Sequence, residues 1–140
     1  MKKILFVCRH NRFRSKIAEG YFKKINRNRN IKVSSSGVIV GNYPLDKLEV
    51  KIAGKFGIKM SGRPKPTTTK LLHEQDLVIL AADDVPKDLF NYDFMKGKLV
   101  VWKIADDHYD NANHINSIVK QIMKKVDELN EKIESGEQKI

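Results

Sequence analysis

The chain of 140 residues is long enough for one domain with a sizeable core, and we expect residues 1–140 to form a single domain. Lysine and arginine number 27 against 17 acidic residues, and the net charge of +10 favours anionic partners such as phosphate esters, nucleic acids or acidic proteins. The apolar runs 4–8 and 77–82 are too short to span a bilayer, and a single cysteine cannot form an internal disulfide, so we expect a cytoplasmic protein without a membrane partner.

Strands and helices are predicted to alternate along the first half of the chain. Residues 3–7 are a short apolar run typical of a strand covered on both faces. From Ser15 the apolar spacing becomes helical, and a second strand is predicted over residues 31–35. A loop containing Pro44 then leads to a second helix, for which Gly57 is the expected C-terminal glycine. The residues that this second helix is expected to bury are Leu48, Ile52, Ala53 and Phe56.

The second half continues the alternation. Residues 67–69 can cap a short helix, and buried strands are predicted over residues 77–80 and 98–102, with a short helix and a turn over residues 86–94. The last helix has apolar residues at every third or fourth position from Ile115 onwards. This order predicts a three-layer α/β domain, in which a four-stranded parallel sheet carries helices on both faces.

The polar loop after the first strand is the strongest candidate for a ligand site. Residues 8–14 lie at the carboxyl end of a strand, where parallel sheets bind ligands. Such a loop can turn its N–H groups toward an anion, and the helix after it adds its positive end. Arg14 can grip two phosphate oxygens with its planar fork of donors. The predicted phosphate-binding residues are Arg9, His10, Asn11, Arg12, Phe13 and Ser15, together with Arg14.

Cys8 begins this loop and is the candidate nucleophile. A helix N-terminus and nearby cations favour the thiolate, and a thiolate beneath a bound phosphate is placed for attack. Ser15 can donate its hydroxyl to the sulfur, and Asn11 suits a left-handed turn in the loop. The alternative is that Cys8 is a small buried hydrophobe at a strand end, which would leave its spacing to Arg14 and Ser15 as coincidence.

Residues 6–19 read Phe-Val-Cys-Arg-His-Asn-Arg-Phe-Arg-Ser-Lys-Ile-Ala-Glu, which resembles the signature of low-molecular-weight protein tyrosine phosphatases and their arsenate reductase relatives. The likeness extends to residues 35–37, 57–58 and 102–115 and to Asp76. The resemblance implies hydrolysis of phosphate monoesters through a cysteinyl-phosphate on Cys8. The implied partner is a phosphotyrosine protein or another anionic phosphate ester, and we expect neither a metal ion nor another cofactor.

The resemblance also implies a general acid, an aspartate on the loop after the fourth strand. Alignment without gaps places Asp106 on the acid and Asp107 on the proline that usually follows it. It places His108 and Tyr109 where the family often carries rings beside the substrate. Sliding the alignment by one residue would make Asp107 the acid instead, so Asp106 is preferred and Asp107 is the alternative.

The sequence departs from the family pattern in the loop itself. Arg9, His10, Arg12 and Phe13 fill positions that usually hold small or apolar residues and often a second cysteine, which would stand at position 13. Residues 38–44 look shortened, and Tyr43 is a possible substitute for the usual aromatic wall. These changes leave Cys8 and Arg14 in place but make the entrance basic, so substrate preference stays open.

Two other functions compete with hydrolysis. Thioredoxin-dependent arsenate reduction needs relay cysteines that this chain lacks, although a glutathione-type route would not need them. A non-catalytic phosphate- or nucleic-acid-binding module would fit the net charge. Against nucleic acid as a partner, Tyr21, Phe22 and Phe56 fall at core positions and not on a stacking surface.

Overall fold

A computed structural model describes residues 1–60, 62–108 and 110–140 of the chain. Within these residues, four strands form one parallel sheet in the order β2–β1–β3–β4. The strands are β1 (Lys2–Cys8), β2 (Ile31–Gly37), β3 (Leu77–Ala81) and β4 (Leu99–Trp102). The predicted α/β fold with a parallel sheet is therefore confirmed, and each predicted strand overlaps an observed one.

Helices cover both faces of this sheet. The α-helices are α1 (Arg14–Ile25), α2 (Lys47–Lys55), α3 (Thr69–His73) and α4 (Ala112–Ser135). Ile4 and Phe6 of β1 point into the core formed with α1, α2 and α4, whereas Leu5 and Val7 point to the opposite face, where α3 packs. Two short 3₁₀ helices, Lys87–Phe90 and Asp93–Met95, occupy the segment predicted as one helix and a turn.

Local capping explains where the helices start and stop. The Asp46 carboxylate accepts the Glu49 N–H at 2.9 Å and begins α2, and Gly57 follows that helix with φ +72°. The Thr68 hydroxyl accepts the Leu71 N–H at 3.0 Å and begins α3. Residues 134–135, which follow the last apolar residue of α4, are still helical, and the helix ends at Gly136 with φ +82°.

The register of β1 and β2 places the loop after β1 against the end of β2. Cys8 is opposite Gly37 in the parallel ladder. A Cβ atom on Gly37 would lie 2.6 Å from the backbone nitrogen of Asn11, so only glycine leaves room for the loop here. No helix among the described residues is long and apolar enough to cross a membrane.

Candidate active site

The sulfur of Cys8 lies where β1 ends and α1 is about to begin. Cys8 is 2% exposed, and its Sγ is 3.0 Å from the Oγ of Ser15 in the first turn of α1. Because α1 begins at Arg14, the free N–H groups of its first turn are close to this sulfur. The helix start and the Ser15 hydroxyl both favour negative charge at this point.

Asn11 fixes the shape of the loop from within. Its backbone adopts the left-handed conformation, with φ +56°, and its side chain is fully buried. Its Nδ2 donates to the Oγ atoms of Ser15 at 2.7 Å and Ser35 at 3.0 Å, and its Oδ1 accepts the Lys65 N–H at 3.0 Å. The side chain of Asn11 is therefore fully used in holding the loop.

The guanidinium of Arg14 is buried, with 1% of the side chain exposed. Its Nη1 donates to the carbonyl of Ile104 at 2.8 Å, and its Nη2 donates to Oδ1 of Asp84 at 2.8 Å. The Asp106 carboxylate is 3.5 Å from the same Nη2. A buried cation held from two sides in this way is rigidly oriented.

The other basic residues of the loop have protein partners of their own. Arg12 donates from Nε and Nη2 to the carbonyl of Pro44, at 3.0 and 2.7 Å, and lies 5.8 Å from the centre of the Tyr43 ring. The Nδ1 of His10 is 2.9 Å from the carbonyl of Ile39. Arg12 and His10 therefore tie the loop to residues 39–44, which follow β2.

A cavity of about 80 Å³ opens beside the Cys8 sulfur. It is lined by Cys8, His10, Arg12, Phe13, Arg14, Glu49, Asp106 and Asp107. The structure thus brings the predicted nucleophile, the predicted arginine and both candidate acids to one place. A larger cavity of about 720 Å³ lies at the opposite end of the sheet, and its lining contains no cysteine and no carboxylate.

Asp106 and Asp107 occupy different environments in this cavity. The Asp106 side chain is 24% exposed, and its Oδ1 accepts the Asp107 N–H at 2.9 Å. The Asp107 side chain is only 5% exposed and lies 3.5 Å from Nδ1 of His114 on α4. Its Oδ1 also accepts the Asp110 N–H at 3.1 Å. Asp106 is thus the more accessible carboxylate, and Asp107 is the more tightly held one.

Residues 3–139 match the family described as low molecular weight phosphotyrosine protein phosphatase. The chain belongs to this family. Its members act on phosphorylated substrates, and the resemblance seen in residues 6–19 is confirmed. A comparison with curated protein sequences finds no match.

Solved structures of the phosphatase family share the fold. A protein tyrosine phosphatase from Entamoeba histolytica superimposes with a TM-score of 0.87 at 20% identity, covering 98% of this chain and 99% of that one. The YwlE arginine phosphatase from Geobacillus stearothermophilus gives 0.84 at 19% identity, with 97% and 95% covered. An arsenate reductase from Archaeoglobus fulgidus gives 0.71 at 21% identity, with 91% and 98% covered.

His108 and Tyr109 are the two residues predicted to contact the substrate. His108 is exposed on the same loop as Asp106, and it is not among the described residues that line the cavity. Tyr109 lies outside the described residues. Among the described residues, no group of three His, Cys, Asp or Glu side chains is arranged to hold a metal ion.

Glu49 is a site residue that sequence reasoning missed. It lies on the buried side of α2, is 7% exposed, and lines the cavity within hydrogen-bonding reach of the Asp107 carboxyl. Burial, followed by the nearby carboxylates of Asp46, Asp107 and Asp106, raises the pKa of Glu49 to about 8. A signal was present, since Glu49 stands three and four residues before Ile52 and Ala53, on the face that the helix buries.

Asp84 is the second residue that was missed. It follows the end of β3, the strand beside β1, and its two oxygens lie 2.8 Å from Arg14 and 3.8 Å from Arg9. The rule that placed the ligand loop at the carboxyl end of β1 applies equally to β3. It could have singled out the acidic pair Asp83 and Asp84.

Proposed function

We propose that the whole chain, residues 1–140, is one phosphatase domain that hydrolyses phosphate monoesters, with phosphotyrosine in proteins as the substrate. Cys8 is the nucleophile, Arg14 holds the phosphoryl group, and Asp106 is the general acid. The observation that carries the proposal is the 3.0 Å contact between Cys8 Sγ and Ser15 Oγ, beside a cavity that Cys8, Arg14 and Asp106 line.

The reaction proceeds in two balanced steps. The Cys8 thiolate attacks phosphorus, an S–P bond forms as the P–O bond of the ester breaks, and Asp106 gives its proton to the leaving oxygen. Water then attacks the phosphoryl group, Asp106 takes a proton from it, and the S–P bond breaks to release inorganic phosphate. Ser15 stabilises the departing thiolate, and Arg14 with the loop N–H groups faces the charge on the transferring oxygens.

The accessibility of Asp106 supports its role over that of Asp107. A general acid must reach the leaving oxygen of the bound ester, and Asp106 is both the more exposed carboxylate and the one that faces Arg14. The Oδ1 of Asp107 accepts the Asp110 N–H and lies 3.5 Å from Nδ1 of His114. A cytoplasmic location stays a prediction from the composition.

Turnover of an aryl phosphate tests this function. We expect the purified chain to hydrolyse p-nitrophenyl phosphate in the presence of a chelator and to be inhibited by vanadate. Cys8→Ser should lose the activity, and Glu128→Gln, an exposed change on α4, should keep it. A wild-type protein that binds phosphate without any turnover would instead identify a non-catalytic binding module.

Phosphoarginine in proteins is a second candidate substrate, favoured by the acidic wall of the cavity. Asp106 and Asp107 line it together, and carboxylates suit a guanidinium-type leaving group better than a neutral phenol. The arginine phosphatase with the same fold is consistent with this choice. The ratio of kcat/KM for a phosphoarginine peptide to that for the matching phosphotyrosine peptide separates the two candidates.

A further inference from the structure

We propose that Glu49 is a positioning residue for the acid loop, residues 105–108: its carboxyl group donates a hydrogen bond to Asp107 and thereby holds Asp106 against the cavity beside Cys8. The role of the loop rests on the proposed phosphatase function. The hydrogen bond itself does not, and it can be tested without turnover.

Glu49 and Asp107 belong to two separate parts of the chain that meet at the cavity wall. Glu49 comes from α2, whereas Asp107 follows β4, and both are nearly excluded from water: the Glu49 residue is 7% exposed and the Asp107 side chain 5%. Both side chains line the same cavity of about 80 Å³, and a side-chain hydrogen bond to Asp107 is among the causes that raise the pKa of Glu49. Two carboxylates have only acceptors, so the contact requires that one of them carry a proton.

The hydrogen bond between Glu49 and Asp107 also affects the proposed acid, Asp106, because the backbone of Asp107 is bonded to the Asp106 side chain. The Asp107 N–H donates to Oδ1 of Asp106 at 2.9 Å, so the position of Asp107 sets that of Asp106. Holding Asp107 therefore restricts where the Asp106 carboxyl can point. An alignment error of about 1 Å at a reacting group can cost up to about a hundredfold in rate.

The surroundings of Glu49 indicate that Glu49, and not Asp107, carries the proton of this hydrogen bond. The ionisable groups near Glu49 are Asp46 at the start of α2, Asp106 and Asp107 on the acid loop, and His114 on α4, which lies beside Asp107. The same cavity is also lined by four ionisable residues of the segment after β1, Cys8, His10, Arg12 and Arg14. Burial is the largest influence, and with the three aspartates it raises the pKa of Glu49 to about 8. Glu49 is therefore mostly protonated at neutral pH and ionises within the mildly alkaline range.

Ionisation of Glu49 converts the hydrogen bond into repulsion between two carboxylates. The acid loop then loses its tie to α2, and Asp106 loses its fixed orientation. We therefore expect turnover to fall as Glu49 loses its proton. A glutamine at this position keeps a donor for Asp107 and cannot ionise, so it separates the hydrogen bond from the titration.

The pH dependence of kcat for an aryl phosphate is the first test. At pH 7 we expect Glu49→Ala to lower kcat about tenfold and Glu49→Gln to restore it to within about twofold of wild type, in keeping with a positioning role. One pH unit above a pKa of about 8 leaves roughly one molecule in eleven protonated, so wild-type kcat should fall about tenfold by pH 9 while Glu49→Gln falls far less. Glu128→Gln is the matched control and should keep the wild-type profile.

An NMR titration tests the hydrogen bond without activity. In protein labelled with ¹³C at the glutamate carboxyl carbons, the Glu49 resonance is the one that Glu49→Gln removes. We expect it to titrate near pH 8 in wild type and at a lower pH in Asp107→Asn, which removes a neighbouring negative charge.

The outcomes distinguish the two proposals. A Glu49 resonance that titrates near 4.5, the ordinary glutamate value, overturns the inference whatever the activity. An alkaline limb that is identical in wild type and Glu49→Gln overturns it as well. A wild-type protein without turnover at any pH, whose Glu49 still titrates near 8, contradicts the phosphatase proposal and leaves the Glu49–Asp107 hydrogen bond standing.

Discussion

The buried guanidinium of Arg14 donates a 2.8 Å hydrogen bond to Asp84, which is 70 residues further along the chain. The carbonyl of Ile104 accepts a second bond of 2.8 Å from the same group. These two partners fix the plane of the guanidinium. The fold therefore builds the anion site by orienting an arginine from two strand ends, those of β3 and β4.

Asp84→Asn is expected to weaken both the fold and the site. The change leaves the buried Arg14 cation with a neutral partner, which should lower the free energy of unfolding by about 1–3 kcal/mol. Loss of orientation should also lower kcat/KM for an aryl phosphate about tenfold. Urea unfolding and steady-state kinetics measure the two effects. Asp93→Asn is the control, because the Asp93 side chain is fully exposed, and an equal loss in both variants would contradict the role given to Asp84.

Two substitutions of Asn11 distinguish the effect of its left-handed backbone conformation from the effect of its side-chain hydrogen bonds. Asn11→Ala removes three hydrogen bonds and also places an alanine at φ +56°, whereas Asn11→Gly removes the same bonds at a position that glycine adopts readily. We expect both variants to be destabilised, with alanine worse by about 1 kcal/mol. Urea unfolding of the two proteins measures this difference. Equal stabilities would mean that the loop relaxes away from the left-handed conformation.

Much of the fold was predictable because its signals are local. The apolar run that forms β1, the change to helical spacing after Ser15 and the glycine at position 57 each need only a few adjacent residues. The loop from Cys8 to Ser15 was predictable for the same reason, since its nucleophile, arginine and helix start are contiguous.

The partners of that loop were harder to predict because they come from distant segments. Asp84 and Ile104 meet Arg14 only when β3 and β4 are in the sheet, and nothing local in the sequence reports the contact. Glu49 was missed because a charged residue in an amphipathic helix is ordinarily assigned to the exposed face. Its spacing to Ile52 and Ala53 places it on the buried face of α2, whereas its proximity to Asp107 depends on the tertiary fold.

The two candidate acids can be separated by substitution. If Asp106 protonates the leaving oxygen, Asp106→Asn should lower kcat by about a hundredfold or more for an alkyl phosphate, whose leaving group needs the proton. The loss should be smaller for p-nitrophenyl phosphate, whose leaving group is a weak base. Asp107→Asn should lower kcat less, with the same loss for both substrates. A leaving-group dependence in Asp107→Asn alone would move the acid to Asp107.

The stability of the protein should also depend on Glu49 and pH, with a sign that follows from its pKa. The folded-state pKa of about 8 is above the ordinary value of 4.5, so between these values the folded protein holds a proton that the unfolded chain has released. The contribution of Glu49 is therefore complete below pH 4.5 and is lost as the pH rises through 8, at up to about 1.4 kcal/mol per pH unit. Urea unfolding from pH 5 to 9 should show this slope as a difference between wild type and Glu49→Gln, and Glu128→Gln should follow wild type. Parallel stability curves for wild type and Glu49→Gln would mean that Glu49 is already ionised in the folded protein at neutral pH.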